Sequence, residues 1–300
     1  MSILVVGSIA FDTIETPFGS AQEVIGGSAT YFSLAASLFT KVGVVAVVGE
    51  DFGREHLDFL SLRGVDIEGV KRAEGKTFRW HGRYGYDLSN PETLGTYLNV
   101  FESFDPVIPP SYRGAEFVFL ANIDPEIQLD VLRKLDRPQI VACDTMNYWI
   151  EKKPLHLKRL LRQVDILIIN DSETRALAQE PLLVKAARAV LDMGPKVLIV
   201  KRGEYGALMF SQEGIFWAPC YPLEEVVDPT GAGDSFAGGF LGSLVASGSR
   251  DVGSLKRSVV YGSVVASFTV EDFSIRSLSR VTHEQITKRL STFLSLSRLE

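Results

Sequence analysis

Short apolar runs alternate along this chain with longer segments whose apolar positions recur at helical spacing. The runs are ILVVG (3–7), VGVVAVVG (42–49), AEFVFLA (115–121), QIVACD (139–144), VDILIIN (164–170) and KVLIVK (196–201). Each is too continuous in Val, Ile and Leu for a half-solvated strand and too short for a helix, which predicts strands buried on both faces of a parallel sheet. Between them, SATYFSLAASLF (28–39), GREHLDFLSLRG (53–64), PEIQLDVLRKL (125–135), LHLKRLLRQ (155–163), DSETRALAQ (171–179) and PLLVKAARAVLDMG (181–194) read as helices. Alternation this regular implies crossover connections and helices on the faces of the sheet, an α/β architecture. After Gly231, three more helical segments (233–247, 252–268 and 282–296) follow one another and should close one side of the layer.

Two segments break the alternation. Residues 10–25 and 76–102 are polar and aromatic, with partial period-two alternation in TFRWHGRY and TYLNVF. They predict antiparallel strands outside the main core. A small sheet built from two distant insertions can serve as a lid over a cleft, but an edge sheet or a homodimer contact fits the same periodicity. No repeat, low-complexity tract or long Pro/Gly/Ser linker divides the chain, so residues 1–300 are expected to form one domain.

Composition narrows the functional classes. Hydrophobic residues make up 46% and charged residues 23%, an ordinary globular balance. The 31 Lys and Arg against 37 Asp and Glu give a net charge of -6, so no global field draws the chain to nucleic acid or anionic lipid. No apolar run approaches the roughly 20 residues that cross a bilayer, and MSILVVG lacks the marks of a secretory signal; a cytoplasmic location is expected. Cys143 and Cys220 are then expected as reduced thiols, and His56, His81, His156 and His283 have no zinc-ligand spacing. Gly75-Lys76-Thr77 is not a phosphate-binding P-loop, which would need Gly where Val70 stands and a helix afterwards; a dinucleotide fingerprint is also missing, since only Gly7 follows the first strand.

Candidate chemistry concentrates in EVVDPTGAGDSFAGGFLGSLVASG (225–248). Gly231, Ala232 and Gly233 carry little or no side chain and lead into an apolar helix, so their N–H groups can approach an anion at the helix start. Asp234 falls in the first turn beside that anion site, where a carboxylate within reach of a hydroxyl can take its proton as phosphoryl transfer begins. The plainer alternative is that Asp234 caps the helix and the glycines only make a turn.

DPTGAGDSFAGGF (228–240) closely resembles the signature of the ribokinase-like, or phosphofructokinase-B, carbohydrate kinases, and the resemblance extends over nearly the whole chain. It implies a three-layer sandwich with a mainly parallel central sheet and a small β-sheet lid. It implies ATP-dependent phosphorylation of a hydroxyl on a sugar or polyol, with Asp234 as general base and Gly231, Ala232 and Gly233 as the anion hole. VVGSIAFD resembles the family's first strand followed by a substrate-binding Asp, here Asp12, and IGGSATYFSLAASLF its Gly-Gly motif, here Gly26 and Gly27. IINDSETRAL is similar to the element that organises magnesium and its waters around ATP, placing Asn170 and Glu173 there. VLIVKRGEYGALMF resembles the strand-turn-strand that holds the nucleotide, implicating Lys201, Gly203 and Gly206. CDTMNYW resembles an Asp-x-Asn element, with Asp144 in place and Asn147 displaced by one residue. From the residues alone, Asp12 could equally form a turn, Asn170 cap a helix and the two glycines close a hairpin.

Two departures bear on the substrate and the ions. Many members carry Asn where this chain has Tyr31, and that Asn contacts a sugar hydroxyl, which counts against ribose itself. The family's monovalent-cation site uses the first Asp of the signature, here Asp228, with a later Gly-containing loop; TVEDFSI (269–275) has no Gly, so potassium activation stays open. Nucleoside phosphorylation is the close rival, because Phe78, Trp80, Tyr84 and Tyr86 could stack on a base or shield the acceptor from water. A non-catalytic nucleotide sensor is the distant rival, and the presence of Asp234 with the glycine turn speaks against it.

Overall fold

The six continuous apolar runs all enter one sheet. The computed structural model describes residues 2–89 and 91–296. Its strands are β1 (Ile3–Val6), β2 (Ala10–Thr16), β3 (Gly19–Gly26), β4 (Val42–Val48), β5 (Val65–Arg72), β6 (Phe78–Arg83), β7 (Glu92–Tyr97), β8 (Phe117–Leu120), β9 (Ile140–Cys143), β10 (Ile166–Asn170), β11 (Val197–Lys201), β12 (Ala207–Ser211) and β13 (Gly214–Ala218). Its helices are α1 (Ser28–Ser37), α2 (Arg54–Leu62), α3 (Pro125–Arg133), α4 (Asn147–Lys152), α5 (Pro154–Leu161), α6 (Asp171–Ala178), α7 (Leu183–Leu191), α8 (Ala232–Ser247), α9 (Val252–Thr269) and α10 (His283–Leu296).

Among the described residues the main sheet has nine strands in the order β13-β12-β11-β10-β9-β8-β1-β4-β5. From β11 to β5 neighbouring strands are parallel, and the hairpin β11-β12-β13 adds two antiparallel strands at one edge. Alternate residues feed opposite cores. Ile3, Val5, Val44, Ile168 and Ile199 pack with Phe32, Phe240 and Val264 of α1, α8 and α9. Leu4, Val6, Val45, Leu167 and Leu198 pack with Leu129, Leu160 and Val190 of α3, α5 and α7. Each such fully buried side chain contributes about 1.5–3 kcal/mol, which is why these runs tolerate so few polar positions. The result is the expected three-layer sandwich. Parallel strands bring their carboxyl ends to one edge, so Asp144, next after β9, gathers there with Asn170 and Lys201, which are register partners at the ends of β10 and β11.

The two aromatic insertions form a separate sheet in the order β3-β2-β6-β7. One expectation needs correction: β2 and β6 pair in parallel, although β2-β3 and β6-β7 are antiparallel. β2 follows β1 and β6 follows β5, and β1 and β5 run in the same direction in the main sheet, so both insertions leave the same edge and rise together. On the inner face, Ile14, Ala21, Tyr84, Val24 and Trp80 pack against Phe273 and Val227 of the main body. Trp80 and Tyr84 therefore face inward, whereas Phe78 stacks on Phe101 at 5.4 Å, Phe101 stacks on Phe104 at 5.3 Å, and Tyr86 points to solvent at 96% exposure. No helix among the described residues is long and apolar enough to cross a membrane.

Candidate active site

Gly231 starts α8 in the left-handed region, with φ 75°. Its Cα lies on the face of the Tyr31 ring, and a methyl group there would overlap that ring. The turn holds its amides unevenly. The Ala232 N–H donates to Pro229 O at 3.2 Å, while those of Gly231, Gly233 and Asp234 have no acceptor among the described residues. Unsatisfied N–H groups at a helix start can accept an anion, and here they include the Asp234 amide, which the sequence did not single out. The Asp234 carboxylate makes no hydrogen bond among the described residues, so it does not cap the helix. Burial first, then the nearby Asp144 carboxylate, push it up to about 7 against the opposing pull of Lys201.

Asp234 is the member shared by two clusters. On one side stands Lys201, whose Nζ is 3.0 Å from Asp144 Oδ2 and would touch a methyl placed on Gly233 at 3.0 Å. Burial works against its charge, but Asp144, Glu173 and Asp234 outweigh it and hold the ammonium above its usual range. Glu173 is buried and pushed up to about 7 by burial and by Asp144. Asn170 is the N-cap of α6 in a capping box: its Oδ1 accepts from the Glu173 N–H at 2.8 Å, and Glu173 Oε2 accepts from the Asn170 N–H at 2.8 Å. The helix-cap reading of Asn170 thus holds, and the cap aims Glu173 back toward the strand ends.

On the other side stand Asp12, Asp228, Tyr31 and Tyr84. Asp12 lies against Gly26 and is 4% exposed. Burial and Asp228 raise it, the Gly27 amide eases it, and Asp234 raises it further, to about 7. Tyr31 is 1% exposed and its hydroxyl has no hydrogen-bond partner among the described residues, in the field of Asp12, Asp228, Tyr84 and Asp234. A buried hydroxyl left unpaired costs about 1–3 kcal/mol, so a ligand hydroxyl here would be welcome. Asp228 is occupied on both oxygens, by the Thr230 N–H at 2.8 Å and the Ser274 N–H at 3.2 Å. Its observed task is to shape the turn; the monovalent-cation role stays an expectation of the resemblance. Ser274 takes φ 60°, a conformation that favours glycine, in the loop that lacks one.

Other expected residues lie farther out. Gly203 and Gly206 shape the β11-β12 connection, where the Arg202 N–H donates to Gly206 O at 2.8 Å. Asn147 is exposed at the start of α4 and makes no hydrogen bond among the described residues. Conversely, Asn122 Oδ1 and Thr145 Oγ1 are buried without partners just past β8 and β9, and Gln128 ties those strand ends by donating to Leu120, Ala121 and Asp144 carbonyls. Only atomic packing marks them, since nothing in their local sequence separates them from loop polar residues. A hollow of about 450 Å³ on the outer face of β2, lined by Thr13, Glu15, Gln22 and His81, contains none of these groups.

The sequence matches the profile of the pfkB family carbohydrate kinases over residues 2–280. This chain belongs to that family. It is therefore a phosphotransferase, and its acceptor is of the sugar or nucleoside class. The pfkB kinase is 33% identical over 250 residues to cytidine kinase of Thermococcus kodakarensis, covering 80% of this chain and 87% of the relative. Its fold superposes on the nucleoside kinase of Methanocaldococcus jannaschii with a TM-score of 0.79, at 22% identity and covering 97% and 99% of the two chains. It also superposes on a ribokinase of Cryptococcus neoformans in complex with ADP, with a TM-score of 0.78, at 20% identity and covering 96% and 98%.

The crowded carboxylates give this pfkB kinase a testable pH signature. Asp12 is raised from 3.8 to about 7, so the fold favours its protonated form. For a raised carboxylate the stabilising contribution is full at low pH and is lost as pH climbs from about 4 through about 7. Asp12→Asn should therefore raise the melting temperature at pH 8, by a stabilisation on the order of 1–3 kcal/mol, and the advantage should narrow at pH 5. Thermal melts at the two pH values check this; an equal or absent advantage at both would mean that Asp12 is not strained by its charge.

Proposed function

We propose that this pfkB kinase transfers the γ-phosphoryl group of ATP to a hydroxyl on the sugar part of its acceptor, with Asp234 as general base. The observation that carries the proposal is the unbonded Asp234 carboxylate standing between Lys201 on one side and Asp12 on the other. Nucleotide phosphates on the Lys201 side and the acceptor on the Asp12 side would meet at the start of α8. The free amides of Gly231, Gly233 and Asp234 would stabilise charge on the migrating group, at roughly 2.7–4 kcal/mol for a preorganised donor. ATP as donor is supported by the family and by the ribokinase structure with ADP.

Among the described residues no three His, Cys, Asp or Glu side chains converge to hold an ion by themselves. Glu173 and Asp144, carboxylates grouped around Lys201, would offer hard oxygens to the waters of a magnesium ion carried by the triphosphate. When bound, the ion would neutralise phosphate charge. Asp12 would hold an acceptor hydroxyl beside Asp234, and Trp80 and Tyr84 on the lid would keep water out.

The two acceptor classes now rank in the reverse of their sequence-based order. Trp80 pairs in register with Asp12 on β2, and its ring lies flat over Gly82, offering an aromatic plate beside the proposed hydroxyl site. With the cytidine kinase relative, this favours a nucleoside over a free sugar or polyol. Incubating the enzyme with ATP, magnesium and panels of nucleosides, sugars and polyols, with phosphorus NMR of the products, tests it. Nucleosides should yield the phosphorylated product fastest. Product from sugars alone would restore the first order, and no product from any class would leave a nucleotide sensor.

A further inference from the structure

A circuit of hydrogen bonds begins and ends on the lid and passes through the turn that leads into α8. On one arm, the Tyr84 N–H donates to Glu15 O of β2 at 2.8 Å, fixing Tyr84 to the lid sheet. Its hydroxyl accepts from Thr230 Oγ1 at 3.2 Å, a contact between residues 146 positions apart in the chain. The Thr230 N–H donates in turn to Asp228 Oδ1 at 2.8 Å. On the other arm, Asp228 Oδ2 accepts from the Ser274 N–H at 3.2 Å, and Ser274 Oγ donates to Ile25 O of β3. Ser274 holds its left-handed conformation while making both bonds. The turn is thus gripped between two strands of the lid.

We propose that Tyr84 is a positioning residue that couples the seating of the lid to the alignment of the 228–231 turn, so that the anion-binding amides and Asp234 are set for transfer only when the lid covers the cleft. The inference rests on the reading of that turn as the site of phosphoryl transfer. Three features support it. Thr230 lies one residue before Gly231, so a movement of its side chain is passed straight into the first turn of α8. Tyr84 is 9% exposed, packs with Ile14 and Ala21 of the lid and is tied to β2 through its own N–H, so its ring travels with the lid while it faces Phe273 of the main body. The Tyr31 ring packs against the backbone at Gly231, and the Thr230 hydroxyl is the polar side-chain contact described between the turn and the lid's aromatic face. Water exclusion and catalytic alignment then occur together, which is what a kinase needs to avoid hydrolysing its donor.

Tyr84→Phe removes the hydroxyl and keeps the ring in its cluster, and Thr230→Val removes the donor with little change in volume. In each variant, turnover with a working acceptor should fall roughly 10- to 100-fold. The ratio of ADP released to acceptor phosphorylated should rise, while the apparent affinity for ATP and the melting temperature stay near wild type. The double variant should be no worse than Thr230→Val alone, which removes the Tyr84 bond together with the pull of the Thr230 hydroxyl on Asp228. A purely structural role would lower the melting temperature and leave the product ratio unchanged. Hydrogen exchange of the ligand-free protein supplies an arm that does not depend on catalysis: amides of the 229–235 segment should exchange roughly threefold to tenfold faster in both variants. Unchanged exchange and an unchanged product ratio would overturn the coupling. If the wild type phosphorylates no acceptor, the kinase reading fails, and the exchange experiment alone decides whether the lid grips the turn.

Discussion

Asp234→Asn is expected to abolish most turnover, by about 10²-fold to 10⁴-fold, while the protein folds and binds ATP as before. The substitution is nearly isosteric, and the carboxylate makes no hydrogen bond among the described residues, so α8 loses no contact that holds it in place. What disappears is the capacity to take a proton. The pH dependence sharpens the test. Burial and Asp144 raise Asp234 to about 7, with Lys201 opposing, and a general base works in its ionised form. Wild-type kcat/KM should therefore rise with pH through about 7 and level off above it. Asp12 is raised to the same region and lies close enough to feel Asp234, so the limb belongs to the pair rather than to either residue. Steady-state rates of wild type, Asp234→Asn and Asp12→Asn from pH 5 to pH 9 separate them. Asp234→Asn should be slow at every pH, whereas Asp12→Asn should weaken acceptor binding and leave a single limb from Asp234. Wild-type turnover in Asp234→Asn would remove the base from the mechanism.

The sheet was legible because burial on both faces leaves a parallel strand almost no freedom of composition. VDILIIN and KVLIVK could be little else, and both proved to be central strands whose last residues, Asn170 and Lys201, are register partners at the site. β5 and β13 were not legible as strands of that sheet, since they lie at its edges and carry the mixed polarity of half-exposed segments. The smaller sheet was legible as a period-two pattern but its parallel pairing was not, because periodicity reports which face is buried and says nothing of the direction in which a neighbour runs. In the candidate site, small residues next to Asp234 announced a turn with exposed backbone, and the amides of Gly231, Gly233 and Asp234 are indeed without acceptors among the described residues. The sequence could not say that Pro229 O takes up the Ala232 amide, nor that Asp228 has both oxygens engaged, because those facts depend on how the turn closes in space. The Thr230 to Tyr84 bond joins residues with no local signal in common, and Ser274 takes a left-handed conformation that its neighbours in sequence do not require.

Gly231→Ala carries the second large expectation, a combined loss of stability and activity. At φ 75° a side chain is disfavoured by roughly 1–2 kcal/mol before any contact is considered. The added methyl would also overlap the face of Tyr31, a buried ring at 1% exposure. Overpacking of this kind typically costs about 1–3 kcal/mol, so the melting temperature should drop by several degrees. Relief by displacing the turn would shift the amides of Gly231 and Gly233, and a misplacement near 1 Å can cost about 10²-fold in turnover. The two causes are separable. Adding Tyr31→Leu, which removes the ring, should recover part of the lost stability, since the overlap is gone and only the backbone strain remains. Tyr31→Phe in the same background should recover none, because the face of the ring is what collides. Turnover should stay low in both double variants, as neither restores the left-handed turn its glycine. A Gly231→Ala enzyme with native melting and native turnover would mean that the turn has slack, and the alignment of amides, base and lid argued from it would lose its mechanical basis.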